Sequence, residues 1–251
     1  MAYDPKKNQG QGTEDIDPSV LGLPFVTIIQ KGSPEFDETH RFHKNKHIEG
    51  CKPGNILFAR SRKILAQPLL CVPVATTTLY VEWKPRDAGG GFVGNRPLTI
   101  TSHEAYRRGA PGSPEEYKEW LGKNELIYTI YFMFLFQLGN DWEKGVISFT
   151  QGQLKQARRW LQTIKNVEYT DLPDVKPPLF AATYQVSTVA DSNAKGGFFG
   201  WNVVRDRILD FTADEALLTA AEAASVQAMQ ALPAPTTQKA IPAPAAAGNP
   251  Y

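Results

Sequence analysis

Cysteine is scarce in this chain: Cys51 and Cys71 are the two thiols among 251 residues. Two thiols make no disulfide framework, so a reducing compartment is expected. Net charge is nearly absent too, at +1 at pH 7. Bulk basicity therefore draws no polyanion here, and any nucleic-acid surface must come from segregated charge. Long apolar runs are missing. The most apolar one, Leu126 to Leu138, is broken by Thr129 and Gln137 and falls short of the roughly 20 residues a membrane span needs. The N-terminus, Met-Ala-Tyr-Asp-Pro-Lys-Lys, carries no apolar signal region, so a soluble intracellular protein without a membrane partner is expected.

Catalytic signatures are absent as well. Gly89-Gly90-Gly91-Phe92-Val93-Gly94 has the glycine spacing of a phosphate loop, but no Lys-Ser/Thr follows. Neither G-x-S-x-G nor H-E-x-x-H occurs, and the D-x-D at Asp15-Ile16-Asp17 lies in a polar arm with no scaffold to aim it. The expectation is a protein that is not an enzyme and takes no cofactor. His40, His43, His47 and Cys51 are chemically able to bind zinc. Their spacing matches no finger pattern, so they stay weak metal candidates and a basic loop is preferred.

What is present is material for a β-rich core: 42% hydrophobic and 11% aromatic residues. Residues 1–21 are polar and read as a disordered arm. Strands are expected at Pro24–Gln30, Asn55–Ala59, Leu69–Trp83, Glu125–Gln137, Val146–Phe149, Leu179–Val189 and Phe198–Val204. A short helix is expected at Pro114–Trp120. A longer helix opening near Thr150 has its apolar stripe at Leu154, Ala157, Leu161 and Ile164. Thr212 to Glu215 forms a capping-box pattern before an Ala-rich helix over 211–232. Leu217, Leu218, Val226 and Met229 could face a partner helix, although packing on its own domain is preferred. The Ala/Pro-rich tail 233–251 reads as disordered. The expected fold is mainly β with α additions: an OB-like antiparallel barrel over 22–210, with one internal helix, elaborated loops and a C-terminal helix. A sandwich fits the same pattern.

Two stretches set aromatics beside cations and glycines. One contains Tyr80, Trp83, Lys84, Arg86, Phe92 and Arg96. The other contains Lys195, Phe198, Phe199, Trp201 and Arg205. Flat rings beside cations suit single strands, where bases stack and phosphates meet Lys and Arg. The alternative is that the rings are core, because half of the positions on a strand point inward. A third stretch is a cation run. From His40 to Lys63 it holds Arg41, Lys44, Lys46, Lys52, Arg60, Arg62 and Lys63 against Glu49, which is 7 − 1 = +6. Such a run tracks a phosphate backbone or forms a solvated loop.

The runs Leu-Pro-Phe-Val-Thr-Ile-Ile-Gln-Lys-Gly-Ser-Pro-Glu, Lys-Pro-Gly-Asn-Ile and Val-Glu-Trp-Lys-Pro-Arg-Asp-Ala-Gly-Gly-Gly resemble tailed-bacteriophage proteins. The stretches Ser-Phe-Thr-Gln-Gly-Gln-Leu-Lys-Gln-Ala-Arg-Arg-Trp and Ser-Asn-Ala-Lys-Gly-Gly-Phe-Phe-Gly-Trp are similar to the distal half of phage single-stranded DNA-binding proteins with an OB-like barrel. Together they cover roughly residues 22–205. The resemblance implies a sequence-nonspecific single-stranded DNA binder in phage replication or recombination. It would act in the cytoplasm of the infected bacterial host, with phage replication proteins as further partners, and its oligomeric state stays open. The strongly acidic tail of that family is absent, since the chain ends Ala/Pro-rich before Tyr251. The competing expectations are a virion structural protein and an inhibitor of a host enzyme.

Overall fold

The computed structural model describes residues 24–231 except Arg86, Pro114, Tyr117, Asp171, Ala194 and Lys195. The expected disordered arm 1–21 and tail 233–251 lie outside the described residues. The elements in chain order are β1 (Val26–Ile28), α1 (His43–Lys46), β2 (Ile56–Phe58), β3 (Lys63–Leu65), β4 (Leu69–Trp83), β5 (Phe92–Arg96), β6 (Tyr106–Arg108), β7 (Glu119–Leu121), β8 (Asn124–Leu138), β9 (Asp141–Thr150), α2 (Leu154–Lys165), β10 (Ala182–Asn193), β11 (Gly196–Ile208) and α3 (Glu215–Ala231). The class matches the sequence expectation: mainly β, with a strongly curled antiparallel sheet and a few helices, one of them C-terminal. Among the described residues no helix is long and apolar enough to cross a membrane.

The chain forms two compact units. The second is Thr78–Tyr128, and the described residues before and after it form the first. In the first unit β1, β2 and β3 make a three-stranded antiparallel sheet. β10 pairs with β11 on one side and, through Tyr184–Val186, with the start of β4 on the other. The later part of β8 pairs with β9. That part of β8 is Ile-Tyr-Phe-Met-Phe-Leu-Phe and is buried throughout from Ile130 to Phe136, as its aromatic and β-branched composition predicts. α2 covers this sheet with Ala157, Trp160 and Ile164. The Trp160 ring stacks on Phe132 at 4.3 Å and meets Phe149 and Tyr184 edge-on at 6.1 and 5.9 Å. Each such pair adds roughly 0.5–1.5 kcal/mol beyond burial. Trp160, absent from the expected stripe, anchors it, while Leu154 and Leu161 are half-buried.

α3 packs within the first unit through Ala221, Ala224 and Ala228, and the Lys144 ammonium donates to Gln227 Oε1. Small residues at that spacing let the helix backbone approach closely. Val226 is exposed, Leu217 and Leu218 are half-buried, and the Met229 side chain lies outside the described residues. The helix start is organised by Asp210 rather than by a capping box. Asp210 Oδ1 accepts from the Thr212 and Ala213 amides, and Arg207 grips Asp214 with both terminal nitrogens.

In the second unit β5 pairs with the end of β4, and β6, β7 and the start of β8 form a meander. Tyr80, Ile100, Leu121 and Leu126 form its core. The helix expected at Pro114–Trp120 is absent from the described part of that stretch, and Glu119–Leu121 is strand β7. Gly122, at φ 59°, turns β7 straight into β8. A left-handed glycine in a tight turn outweighs the helical propensity of Glu and Lys.

Candidate nucleic-acid interface

The cation run folds into a tied loop system of the first unit. Between β1 and β2 the chain follows successive turns: Phe36 and Asp37 amides to Ser33 O, His40 to Asp37 O, His43 to His40 O. Asp37 is held below the usual carboxylate range by the Thr39 hydroxyl and amide that donate to it. Cys51 donates its thiol proton to Glu35 O, and burial pushes its pKa up. Ile48 N–H donates to the same carbonyl. The loop thus closes on itself.

Arg62 then ties it to the next hairpin. This residue sits at φ 57° in the turn between β2 and β3. Its terminal nitrogens donate to Asn45 O and His47 O, both at 3.1 Å. The fork joins the turn that carries Arg60 and Arg62, with Lys63 opening β3, to the segment of α1 that carries Lys44 and Lys46. Arg41, Lys44, Lys46, Lys52, Arg60, Arg62 and Lys63 are all exposed. Among the described residues none of them is in an ion pair; the pairs there are Arg96–Glu82, Lys118–Glu115 and Arg207–Asp214.

The hairpin of β10 and β11 is fastened to this system by two glutamines. Phe199 N–H donates to Gln30 Oε1 and Gln30 Nε2 donates to Phe199 O, both at 2.9 Å. On the other strand Thr188 N–H donates to Gln67 Oε1, and Gln67 Nε2 donates to Gly54 O. The Phe199 ring lies against Gly54, where a Cβ would come within 2.7 Å of it. Phe198 and Phe199 are half-buried and Arg205 is exposed. Trp201, expected as a stacking ring, is 2% exposed and is core. With a period of two, its side chain falls on the inward face with Phe199. Lys195 lies outside the described residues.

The other aromatic segment belongs to the second unit. Trp83 and Phe92 face each other across β4 and β5 as an edge-to-face pair at 5.8 Å, and are 38% and 56% exposed. Lys84 follows, exposed, before three glycines of positive φ. Two expected contacts fail here. Tyr80 is 7% exposed, packed in the core with its ring against Tyr128. Arg96 is engaged by Glu82, whose carboxylate is 3% exposed and takes Arg96 Nε and Asn124 Nδ2 at 2.5 Å each. A guanidinium spent on a buried carboxylate is unavailable to phosphate. Arg86 lies outside the described residues.

Three of the four zinc candidates make other bonds, and the His47 ring lies against that of His43 with centroids 4.6 Å apart. His43 Nδ1 is 3.1 Å from Pro34 O, His40 Nδ1 accepts from the Phe42 amide, and Cys51 faces Glu35 O. Among the described residues no three His, Cys, Asp or Glu gather as metal ligands do. Sequence reasoning passed over three exposed rings, Phe36, Phe42 and Phe211, at 39%, 44% and 52% exposure; Phe42 is the one among the cations. It lies inside the cation run, and its signal was the adjacent Arg41.

These features define a mainly β protein with an exposed basic loop whose cations make no ion pair among the described residues. A family model described as Pam3 phage gp34-like protein matches residues 1–231. The chain therefore belongs to that family, and it is a phage protein. No curated protein and no solved structure matches it.

Proposed function

We propose that this phage protein binds single-stranded DNA without sequence preference, serving phage replication or recombination. The observation that carries the reading is the Arg62 fork, which ties together two loops carrying exposed cations that make no ion pair among the described residues. Cations without acidic partners remain free to displace counterions from a phosphate backbone. In the second unit Trp83 and Phe92 offer exposed rings beside Lys84, and base stacking on such rings is worth roughly 1–3 kcal/mol per base. Of the rings expected to stack, this leaves Trp83 and Phe92, with Phe198 and Phe199 half-exposed.

Fluorescence anisotropy of labelled oligo-dT, beside the matching duplex and at two salt concentrations, tests the reading. With about six phosphate contacts, single-strand affinity should fall roughly three-hundredfold between 50 and 200 mM salt. Equal binding to duplex would reduce the surface to a general polyanion site. No binding to either at low salt would end the nucleic-acid reading, and recovery of the protein in purified particles would then place it among virion subunits.

A further inference from the structure

We infer that Phe42, flanked by Arg41 and His40, forms a base-binding subsite inside the basic loop, where an unpaired base stacks on its ring. The inference rests on the single-strand reading above and adds the place where unpaired bases are recognised in the first unit.

Phe42 is an anomaly if the loop only scatters charge. An aromatic ring 44% exposed contributes little to a core. Yet its backbone is held on both sides. Its amide donates to His40 Nδ1 at 3.2 Å, and its carbonyl accepts from the Asn45 and Lys46 amides at 3.2 and 3.1 Å. Arg62, through Asn45 O and His47 O, fixes the segment just beyond it. A ring carried on an ordered backbone loses less freedom when a ligand stacks on it than one on a loose loop.

The neighbours have the chemistry of a nucleotide site. The Arg41 guanidinium lies over the ring, 4.5 Å from its centroid, and the His40 ring is 5.8 Å away, tilted by 42°. Arg41 can serve a phosphate while keeping its contact with a π-face. The exposure quoted for Phe42 is what remains with Arg41 in place. Lys44 and Lys46 follow within one turn and are exposed. Bases in a duplex are stacked on each other and offer no face to this ring, so the subsite favours single strands while the cations alone do not.

The test uses the full chain and two ligands, labelled oligo-dT and inorganic polyphosphate, a polyanion without bases. Phe42→Leu keeps an apolar side chain and removes the ring. It should weaken oligo-dT binding by roughly five- to a hundredfold, the range of one lost base stack, and leave polyphosphate binding unchanged. The double variant Lys44→Glu, Lys46→Glu should weaken both. Phe42→Trp should retain binding and show fluorescence quenching by oligo-dT beyond that of the wild type, with none by polyphosphate. Wild-type affinity for oligo-dT in Phe42→Leu, or no added quenching in Phe42→Trp, overturns the subsite while the basic surface stands. If the wild type and every variant bind polyphosphate and oligo-dT equally, base recognition is refuted and a phosphate-only surface remains. If the wild type binds neither, the single-strand reading falls and the subsite with it.

Discussion

Replacing Arg62 by lysine keeps the charge and removes the fork. In the wild type two N–H groups of one planar guanidinium reach Asn45 O and His47 O, each at 3.1 Å. A lysine ammonium presents its three N–H donors from a single nitrogen and lacks the two separated donor atoms of the planar fork, so it cannot reproduce this pair of bonds with the same geometry. Hydrogen bonds of this kind contribute about 0.5–1.5 kcal/mol each, so the local loss is about 1–2 kcal/mol. The cost of the left-handed backbone at φ 57° is common to both residues and cancels. A loss of that size should speed amide exchange over His43–Ile48 by about 5- to 30-fold while leaving β8 and β9 unchanged. The salt dependence of oligo-dT binding separates charge from geometry. If the fork holds Lys44 and Lys46 in register with Arg60 and Lys63, losing those two contacts lowers the slope by about 1.4, at about 0.7 per single-strand contact. An Arg62→Lys protein with wild-type exchange and a wild-type slope would refute the view that this side chain assembles the surface.

Three further outcomes are expected. Glu82→Gln leaves one acceptor oxygen for two donors, Arg96 and Asn124, and uncovers a nearly buried guanidinium; a loss of about 3–5 kcal/mol should appear in chemical denaturation, and a neutral result would show the pair to be dispensable. Gly54→Ala places a methyl 2.7 Å from the Phe199 ring at a backbone φ of 92°, so the hairpin should loosen by about 1–3 kcal/mol, read as faster exchange at Thr188 and Phe199. Asp214 is held below its ordinary value of 3.8 chiefly by its hydrogen bonds from Arg207, so its contribution is complete above that value and is lost as pH falls through its folded value. The helical circular-dichroism signal of α3 should therefore weaken in acid below about pH 4, and Asp214→Asn should be less stable at neutral pH and lack that acid step.

The long elements were legible because many residues voted together. Leu69–Trp83 shows strand composition over its whole length and is β4 with those ends. The centre of β8 reads as buried on both faces and is. α2 follows from its spacing, although its heaviest anchor, Trp160, hid among Arg158 and Arg159. The short strands β3, β6 and β7 carry Lys, Arg or Glu in three residues and gave no periodic signal. The site was harder for a related reason. Arg96 resembles a free cation until β5 pairs with β4 and brings Glu82 against it. Trp201 and Phe199 share a parity on β11, and the parity facing inward is decided by loops more than a hundred residues away, at Gln30 and Gly54. The cation run was visible as a count; that one of its members organises it depends on a turn geometry that spacing does not encode.

The two glutamines on the β10–β11 hairpin have a consequence beyond fastening it. A primary amide carries one carbonyl and N–H groups on a planar frame, the same pair that a peptide unit presents to a neighbouring strand. At Phe199 the Gln30 side chain takes both backbone groups of an outermost strand, as a further strand would. At Thr188 the Gln67 side chain takes the amide that β4 no longer reaches, since their pairing ends at Val186. The molecule thus counterfeits the next strand with single residues. Chain-to-chain growth of the sheet, the hazard of any long open edge, meets an occupied rung at Phe199, the fourth residue of β11.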